Sequence, residues 1–324
     1  TLQGVAGVPI VRPILFSIGN FYIGSYAAML FLAVATAIVT TVIRARRRAL
    51  DTTLLAPALT VGLISGWVFG RASLLTDPAA RGAGWRVFSP MQGGGGSLTY
   101  FGVGAAIGVI IFLLLRRQPV LPTADAVAPS ILFAVGIAKI GCLMSGCCEG
   151  ALCSNAFGIT YPYGSAVHER HLAENLITVP ADLKYEEADP KSERLTFGHL
   201  QVLRYETKIG TSRGIDERSV VTTELVARAS EYRSLPVWPL PIMASIAAIA
   251  CGIAAEFVFR RSTKQGTTLA FVLCAYGAIR LILDWLLADR GHVAIGMSAA
   301  QWIGAFAFAI GWSIYVAGRS RRAN

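Results

Sequence analysis

Two short stretches concentrate reactive side chains inside sequence that is otherwise apolar. The first is Ala138-Lys139-Ile140-Gly141-Cys142-Leu143-Met144-Ser145-Gly146-Cys147-Cys148-Glu149-Gly150, which holds three of the six cysteines, a lysine and three glycines. A lipid-facing helix has no use for that composition, because ionisable and small residues at membrane depth line cavities or interior contacts. Lys139 reads either as a binder of a phosphate or lipid headgroup inside a helix bundle, or as a side chain snorkelling to the interface. The second stretch is Tyr276-Gly277-Ala278-Ile279-Arg280-Leu281-Ile282-Leu283-Asp284. Arg280 and Asp284 stand four apart and share a helix face. They form either an internal ion pair that fixes helix packing, or an anion site in which Arg280 grips a phosphate and Asp284 orients it.

The cysteines leave several chemistries open. Cys142, Cys147, Cys148 and Cys153 cluster at one end of an apolar segment. If that end faces an oxidising compartment, a disulfide of Cys147 or Cys148 with Cys142 or Cys153 is the leading reading, and a bond between the adjacent pair is excluded. Lys139 lies one helical turn before Cys142 and could lower its pKa, which would make a reactive thiol. His168-Glu169-Arg170-His171 offers two imidazoles, but the spacing matches no zinc pattern, and neither a metal nor another cofactor is expected. Cys251 and Cys274 sit singly inside apolar runs and read as small buried hydrophobes.

The elements that must position these residues are membrane helices. Hydrophobic residues make up 54% of the 324 and charged ones 15%, with mean hydropathy +0.56, the composition of an integral membrane protein. Apolar runs near 21–43, 54–75, 98–115, 127–143, 237–259, 268–287 and 299–317 predict about seven transmembrane helices. Clusters of Lys and Arg follow the first, third, fifth and seventh runs: Arg44, Arg46, Arg47 and Arg48; Arg116 and Arg117; Arg260, Arg261 and Lys264; Arg319, Arg321 and Arg322. The positive-inside rule makes that side cytoplasmic, with the N-terminus outside and the C-terminus inside. The net charge of +10 is this topology signal together with affinity for anionic headgroups, and nucleic acid is not an expected partner. The absence of a basic region ahead of the first run speaks against a cleavable signal peptide.

Three regions follow: helices one to four over 1–150, with an outer loop at 76–97 containing Gly93-Gly94-Gly95-Gly96; a polar segment over 151–236; and helices five to seven over 237–324. The polar segment carries 12 of the 19 acidic residues. Leu195–Leu203 and Ser219–Leu225 read as strands flanking a turn, which predicts a small, partly β extracytoplasmic head. The expected class is therefore all-α membrane protein with such a head, and the chain shows no internal repeat.

Taken together, the motifs resemble the prolipoprotein diacylglyceryl transferases, polytopic bacterial enzymes that move the diacylglyceryl group of phosphatidylglycerol onto a lipoprotein cysteine. Pro13-Ile14-Leu15-Phe16-Ser17-Ile18-Gly19 is similar to the family's P-I-x-F-S-I-G, and Tyr26 falls on its early tyrosine. Trp85-Arg86-Val87-Phe88 resembles the stretch before the third helix, and Ala124-Asp125-Ala126-Val127-Ala128-Pro129 resembles D-x-x-A-P. Lys139 to Gly150 overlays G-R-x-G-N-F-x-N-G-E-x-x-G, Tyr276 to Asp284 overlays Y-G-x-x-R-x-x-x-E, and Met297, Ser298 and Gln301 approximate the last helix's S-M-G-Q. Lys139 replaces the signature arginine, Cys142 an asparagine, Cys147 an acid and Phe101 a histidine, while Trp238 to Ala244 replaces H-P-S-Q-L-Y-E.

The resemblance implies a bacterial inner-membrane transferase with Arg280, Lys139 and Tyr26 as catalytic residues. It implies Gly150, Tyr276, Asp284, Ser145 and Cys142 as substrate-binding residues, with phosphatidylglycerol and a prolipoprotein as partners. The replacements leave two alternatives: thiol chemistry at Cys142, Cys147 and Cys148, or a non-catalytic lipid-binding or structural subunit working with other membrane proteins.

Overall fold

The computed structural model describes residues 14–18, 21–76, 84–88, 98–147, 150–163, 165–180, 231–287, 292–294 and 296–320. In chain order these form β1 (Ile14–Ile18), β2 (Phe21–Gly24), α1 (Ser25–Arg47), α2 (Leu55–Ala72), α3 (Leu98–Leu115), α4 (Val120–Ser145), α5 (Ala166–Ala173), α6 (Leu240–Arg261), α7 (Thr267–Leu283), β3 (His292–Ala294), β4 (Met297–Ser298) and α8 (Ala299–Ser320). Among the described residues, six helices (α1, α2, α4, α6, α7 and α8) are long and apolar enough to cross a membrane, and α3 is a shorter apolar helix.

Two expectations change. The first apolar run begins as a strand, not a helix: Phe21–Gly24 pairs antiparallel with Ile14–Ile18, with Ser17 opposite Tyr22 and Ile18 opposite Phe21. Ile14, Phe16 and Ile18 on one strand and Phe21, Tyr22 and Ile23 on the other are aromatic and β-branched residue types, which favour a strand over an early helix start. The fourth helix is longer than its apolar core, starting at Val120 and running through Pro129. A proline inside a membrane helix is tolerated where neighbouring groups re-satisfy the freed backbone. The expected head strands at 195–203 and 219–225, and the glycine run at 93–96, lie outside the described residues.

The chain divides into two compact units, and α1, α4, α6 and α7 each contribute segments to both. One unit comprises Ala35–Phe133, Ala250–Ala278 and Ala300–Asn324. Here α2 and α3 meet through small residues: a Cβ on Gly104 would stand 2.5 Å from Phe69 Cβ, and one on Gly108 would collide with Ser65 Oγ. Such close approach replaces the hydrophobic driving force that lipid cannot supply. An apolar cluster of Ala128, Leu132, Ala255 and Val272 ties α4, α6 and α7.

The same unit buries charge at its basic helix ends. Arg44, 3% exposed, donates from Nε to Glu256 Oε2 at 2.6 Å and from Nη1 to Ser130 Oγ at 2.6 Å. Either charge alone there would cost several kcal/mol, about 3–5 on typical buried pairs, so the two must be kept together. Asp125 of α4 accepts from the backbone N–H of Gly266 (2.6 Å) and of Leu269 (2.8 Å), and so caps the start of α7 from another helix.

The second unit comprises Thr1–Val34, Ala134–Ile249 and Ile279–Ala299. Its apolar cluster is Tyr161, Val167 and Val237, on which Ile159 packs. Val237 bridges both Leu152 and Ile159, so the chain entering α6 is held between two extended segments. The candidate residues Tyr26, Lys139, Cys142, Ser145, Gly150, Arg280 and Asp284 all fall in this unit.

Candidate functional site

The site is built where α4 ends. Gly146, with φ +66°, adopts the left-handed conformation that closes a helix, and the hydrogen bonds Gly146 N–H to Leu143 O (3.1 Å) and Cys147 N–H to Cys142 O (3.0 Å) complete the cap. One turn earlier Gly141 lets α1 approach: a Cβ there would stand 2.9 Å from Met29 Cβ and 3.3 Å from Tyr26 Cα. Tyr26 is thus set against α4 at Gly141. Lys139 is half-buried and has no ion-pair partner among the described residues.

Gly150 anchors the far end of the stretch. Its N–H donates to Trp238 O at 3.2 Å, Ala151 N–H donates to Leu286 O at 2.7 Å, and Trp238 N–H donates to Ala151 O at 3.0 Å. The chain after the α4 cap is therefore clamped between the entry to α6 and the end of α7. Glycine is required at position 150, since a Cβ would lie 2.5 Å from Trp238 Cβ and under 3 Å from two carbonyl oxygens.

That same end of α7 carries the second constellation. Arg280 Nη2 lies 3.5 Å from Asp284 Oδ1, as the spacing predicts. Asp284 is 2% exposed, and its Oδ2 accepts a hydrogen bond from Ser298 Oγ. Arg280 Nε is buried and has no hydrogen-bond partner among the described residues. Lys139 of α4 and Arg280 of α7 both belong to this unit, and Asp284 is the carboxylate that pairs with Arg280. A buried guanidinium N–H left unused is costly unless an anion takes it.

Other expected residues are placed differently. Ser145 and Cys142 are buried at the end of α4. Cys142, Cys147 and Cys153 are not bonded to one another, so the expected disulfides of Cys147 with Cys142 or Cys153 are not made. Instead Cys147 Sγ reaches Cys142 O at 3.5 Å, and Cys153 Sγ donates to Asn155 Oδ1 at 2.8 Å. The helix cap explains the first contact, because it aims Cys147 at the backbone of the last α4 turn. Cys148 lies outside the described residues. Tyr276 packs against the apolar cluster of the other unit. Phe101, also in that unit, lies against Gly66, whose Cβ would stand 3.1 Å from its ring.

Among the described residues no group of three His, Cys, Asp or Glu converges as metal ligands. His168 and His171 are both fully buried on α5. His171 Nδ1 accepts from Leu235 N–H at 3.2 Å, and the His168 ring lies 4.6 Å from that of Tyr163. Burial, reinforced by the neighbouring His171, lowers the His168 pKa from 6.5 to about 4. The folded state thus holds His168 neutral, while the unfolded chain takes up a proton below pH 6.5. The stabilisation is complete above pH 6.5 and is lost as pH falls towards 4, by about 3 kcal/mol in all. Hydrogen-exchange protection factors at 165–173 and 234–237, with the intrinsic pH dependence of exchange divided out, are expected to fall between pH 7 and pH 4.5, and His168→Phe to flatten that dependence.

Sequence reasoning did not find the Ser298–Asp284 bond or the Trp238 backbone clamp. The motif likeness at Met297-Ser298 was the only available signal for the first. No side-chain pattern signals the second.

The family profile described as prolipoprotein diacylglyceryl transferase matches residues 13–317. A protein of Rhodopirellula baltica named phosphatidylglycerol–prolipoprotein diacylglyceryl transferase is 26% identical over 266 residues, 64% of this chain and 54% of that relative. Proteins of the same name from Clostridium perfringens and Dehalococcoides mccartyi are 29% and 30% identical, over 48% of this chain and 61% and 63% of their own lengths. The chain thus spans less than two thirds of each of these relatives. On the match to residues 13–317, the chain belongs to the prolipoprotein diacylglyceryl transferase family.

Proposed function

We propose that this protein transfers the diacylglyceryl group of phosphatidylglycerol to the lipobox cysteine of a prolipoprotein. In this reading it sits in a bacterial cytoplasmic membrane with the N-terminus and the 151–236 segment outside and the C-terminus inside. The carrying observation is a pair of cationic groups with partners unmet among the described residues: Arg280 holds a buried, unused Nε–H, and Lys139 has no ion-pair partner. An anionic lipid phosphate supplies what both groups lack. In the reaction the acceptor thiol loses its proton, its sulfur attacks the glyceryl carbon, the carbon–oxygen bond to phosphate breaks, and the phosphate oxygen leaves as glycerol phosphate, which can take up the proton. Charge develops on that oxygen in the transition state, where fixed cations act most strongly. Arg280 offers two directed donors and Lys139 a point charge.

The test is complementation. Cells depleted of their own transferase and expressing this chain are expected to regain lipid attachment to a prolipoprotein, measured by its mass and by labelled glycerol incorporation. Absence of lipidation at good expression would overturn the reading in favour of a non-catalytic lipid-binding or structural subunit.

A further inference from the structure

The Arg280–Asp284 pair does not stand alone, and its third member comes from a different element. β3 and β4 form a hairpin in which His292 pairs with Ser298 and Ala294 with Met297, turning through Gly296 at φ +67°. The hairpin delivers Ser298 directly ahead of α8, and the side chain, 7% exposed, donates to Asp284 Oδ2. The other carboxylate oxygen, Oδ1, faces Arg280 Nη2 at 3.5 Å.

The two oxygens of Asp284 are therefore divided between a hydroxyl and a guanidinium. A carboxylate held at one oxygen cannot rotate freely about its terminal bond, so the direction it presents to Arg280 is set by Ser298. The guanidinium is engaged through one terminal nitrogen, and its Nε–H, buried and without a partner among the described residues, is left for another acceptor. A bidentate grip on phosphate needs such a fork held in one orientation before the ligand arrives.

We infer that Ser298 is a positioning residue for anion binding: through Asp284 it fixes the orientation in which Arg280 meets the lipid phosphate. The inference rests on the transferase reading for its consequence in turnover, but not for its geometry. Ser298 does not touch the reacting atoms. Its removal leaves the charges of Arg280 and Asp284 intact, so ground-state attraction for an anionic lipid survives while alignment in the transition state is lost.

The experiment uses the full chain in nanodiscs, comparing wild type, Ser298→Ala and Ser298→Thr. With phosphatidylglycerol and a prolipoprotein peptide, Ser298→Ala is expected to lower kcat about tenfold with KM for the lipid within about twofold, and Ser298→Thr to recover most of the loss. In phosphatidylcholine discs without substrate, modification of Arg280 by phenylglyoxal, read by peptide mass mapping, is expected to be several-fold faster in Ser298→Ala and near wild type in Ser298→Thr. Unchanged Arg280 reactivity overturns the inference, as does a loss of kcat that tracks a fall in melting temperature and is not recovered by threonine. A wild-type protein that lipidates nothing, with Arg280 still faster in Ser298→Ala, sinks the transferase reading and leaves the positioning role standing.

Discussion

Arg280→Ala is expected to lower lipidation of a prolipoprotein by about a hundred- to a thousandfold, the usual cost of removing one fixed donor from a site where charge develops. The loss should fall mainly on kcat. Lys139 remains to attract an anionic lipid, but as a point charge it does not hold the leaving phosphate at two points. The structure also sets the control. Asp284, 2% exposed, loses its cationic neighbour in this variant and keeps only the hydroxyl of Ser298 among the contacts described above. An unpaired buried carboxylate is destabilising in itself. Arg280→Ala combined with Asp284→Asn removes that burden, and it should fold as well as wild type while remaining inactive. Arg280→Lys keeps the charge but not the fork, and should recover only part of the rate. Turnover measured by gel shift of the lipidated acceptor, alongside the melting temperature in detergent, separates the outcomes. Near-wild-type turnover in the neutral double variant would remove Arg280 from the site.

How far the sequence reaches into this site depends on the range of each interaction. Runs of apolar residues carry their own signal, and Leu98–Leu115 forms a helix over the range its composition predicts. The Arg280–Asp284 pair is equally local, since a four-residue spacing on a helix brings two side chains together without help from the rest of the fold. Ser298 and Asp284 are 14 residues apart and meet only because a hairpin turns the chain between them. Asp125 is less accessible still. In the sequence it is one acid at the edge of an apolar run, yet its partners are backbone N–H groups 141 and 144 residues away. Backbone partners leave no trace in residue type, so neither that cap nor the Trp238 clamp on Gly150 could be read from composition or spacing. The cysteines show a related effect. Four of them close in sequence suggest a disulfide, but pairing depends on the direction of each Cβ. The Gly146 cap turns Cys147 towards the α4 backbone, while Asn155 takes the Cys153 thiol.

The clamp leads to the second large effect. Gly150→Ala adds one methyl group where three atoms already stand closer than a Cβ tolerates: Trp238 Cβ at 2.5 Å, Trp238 O at 2.7 Å and Leu286 O at 2.9 Å. Two of these are backbone oxygens, and the third is a Cβ fixed to its own backbone, so none can move aside by a side-chain rotation. The chain must separate from the entry to α6 or from the end of α7, losing the Gly150–Trp238 or the Ala151–Leu286 hydrogen bond. Overpacking of this kind costs about 1–3 kcal/mol, and the apparent melting temperature should fall by several degrees. Gly102→Ala is the matched control, because a Cβ there meets nothing within 4 Å. Alanine in place of a helical glycine should leave stability unchanged or raise it by up to about 1 kcal/mol. Activity should fall further than stability in Gly150→Ala, because Leu286 lies in the same helical turn as Asp284 and any shift of that turn displaces the carboxylate that holds Arg280. The decisive measurement is turnover at a temperature where Gly150→Ala is fully folded. Wild-type turnover there would mean that the clamp serves only stability, whereas a loss of about tenfold or more, with Gly102→Ala unaffected, ties the glycine frame of the α4 stretch to the orientation of the anion grip.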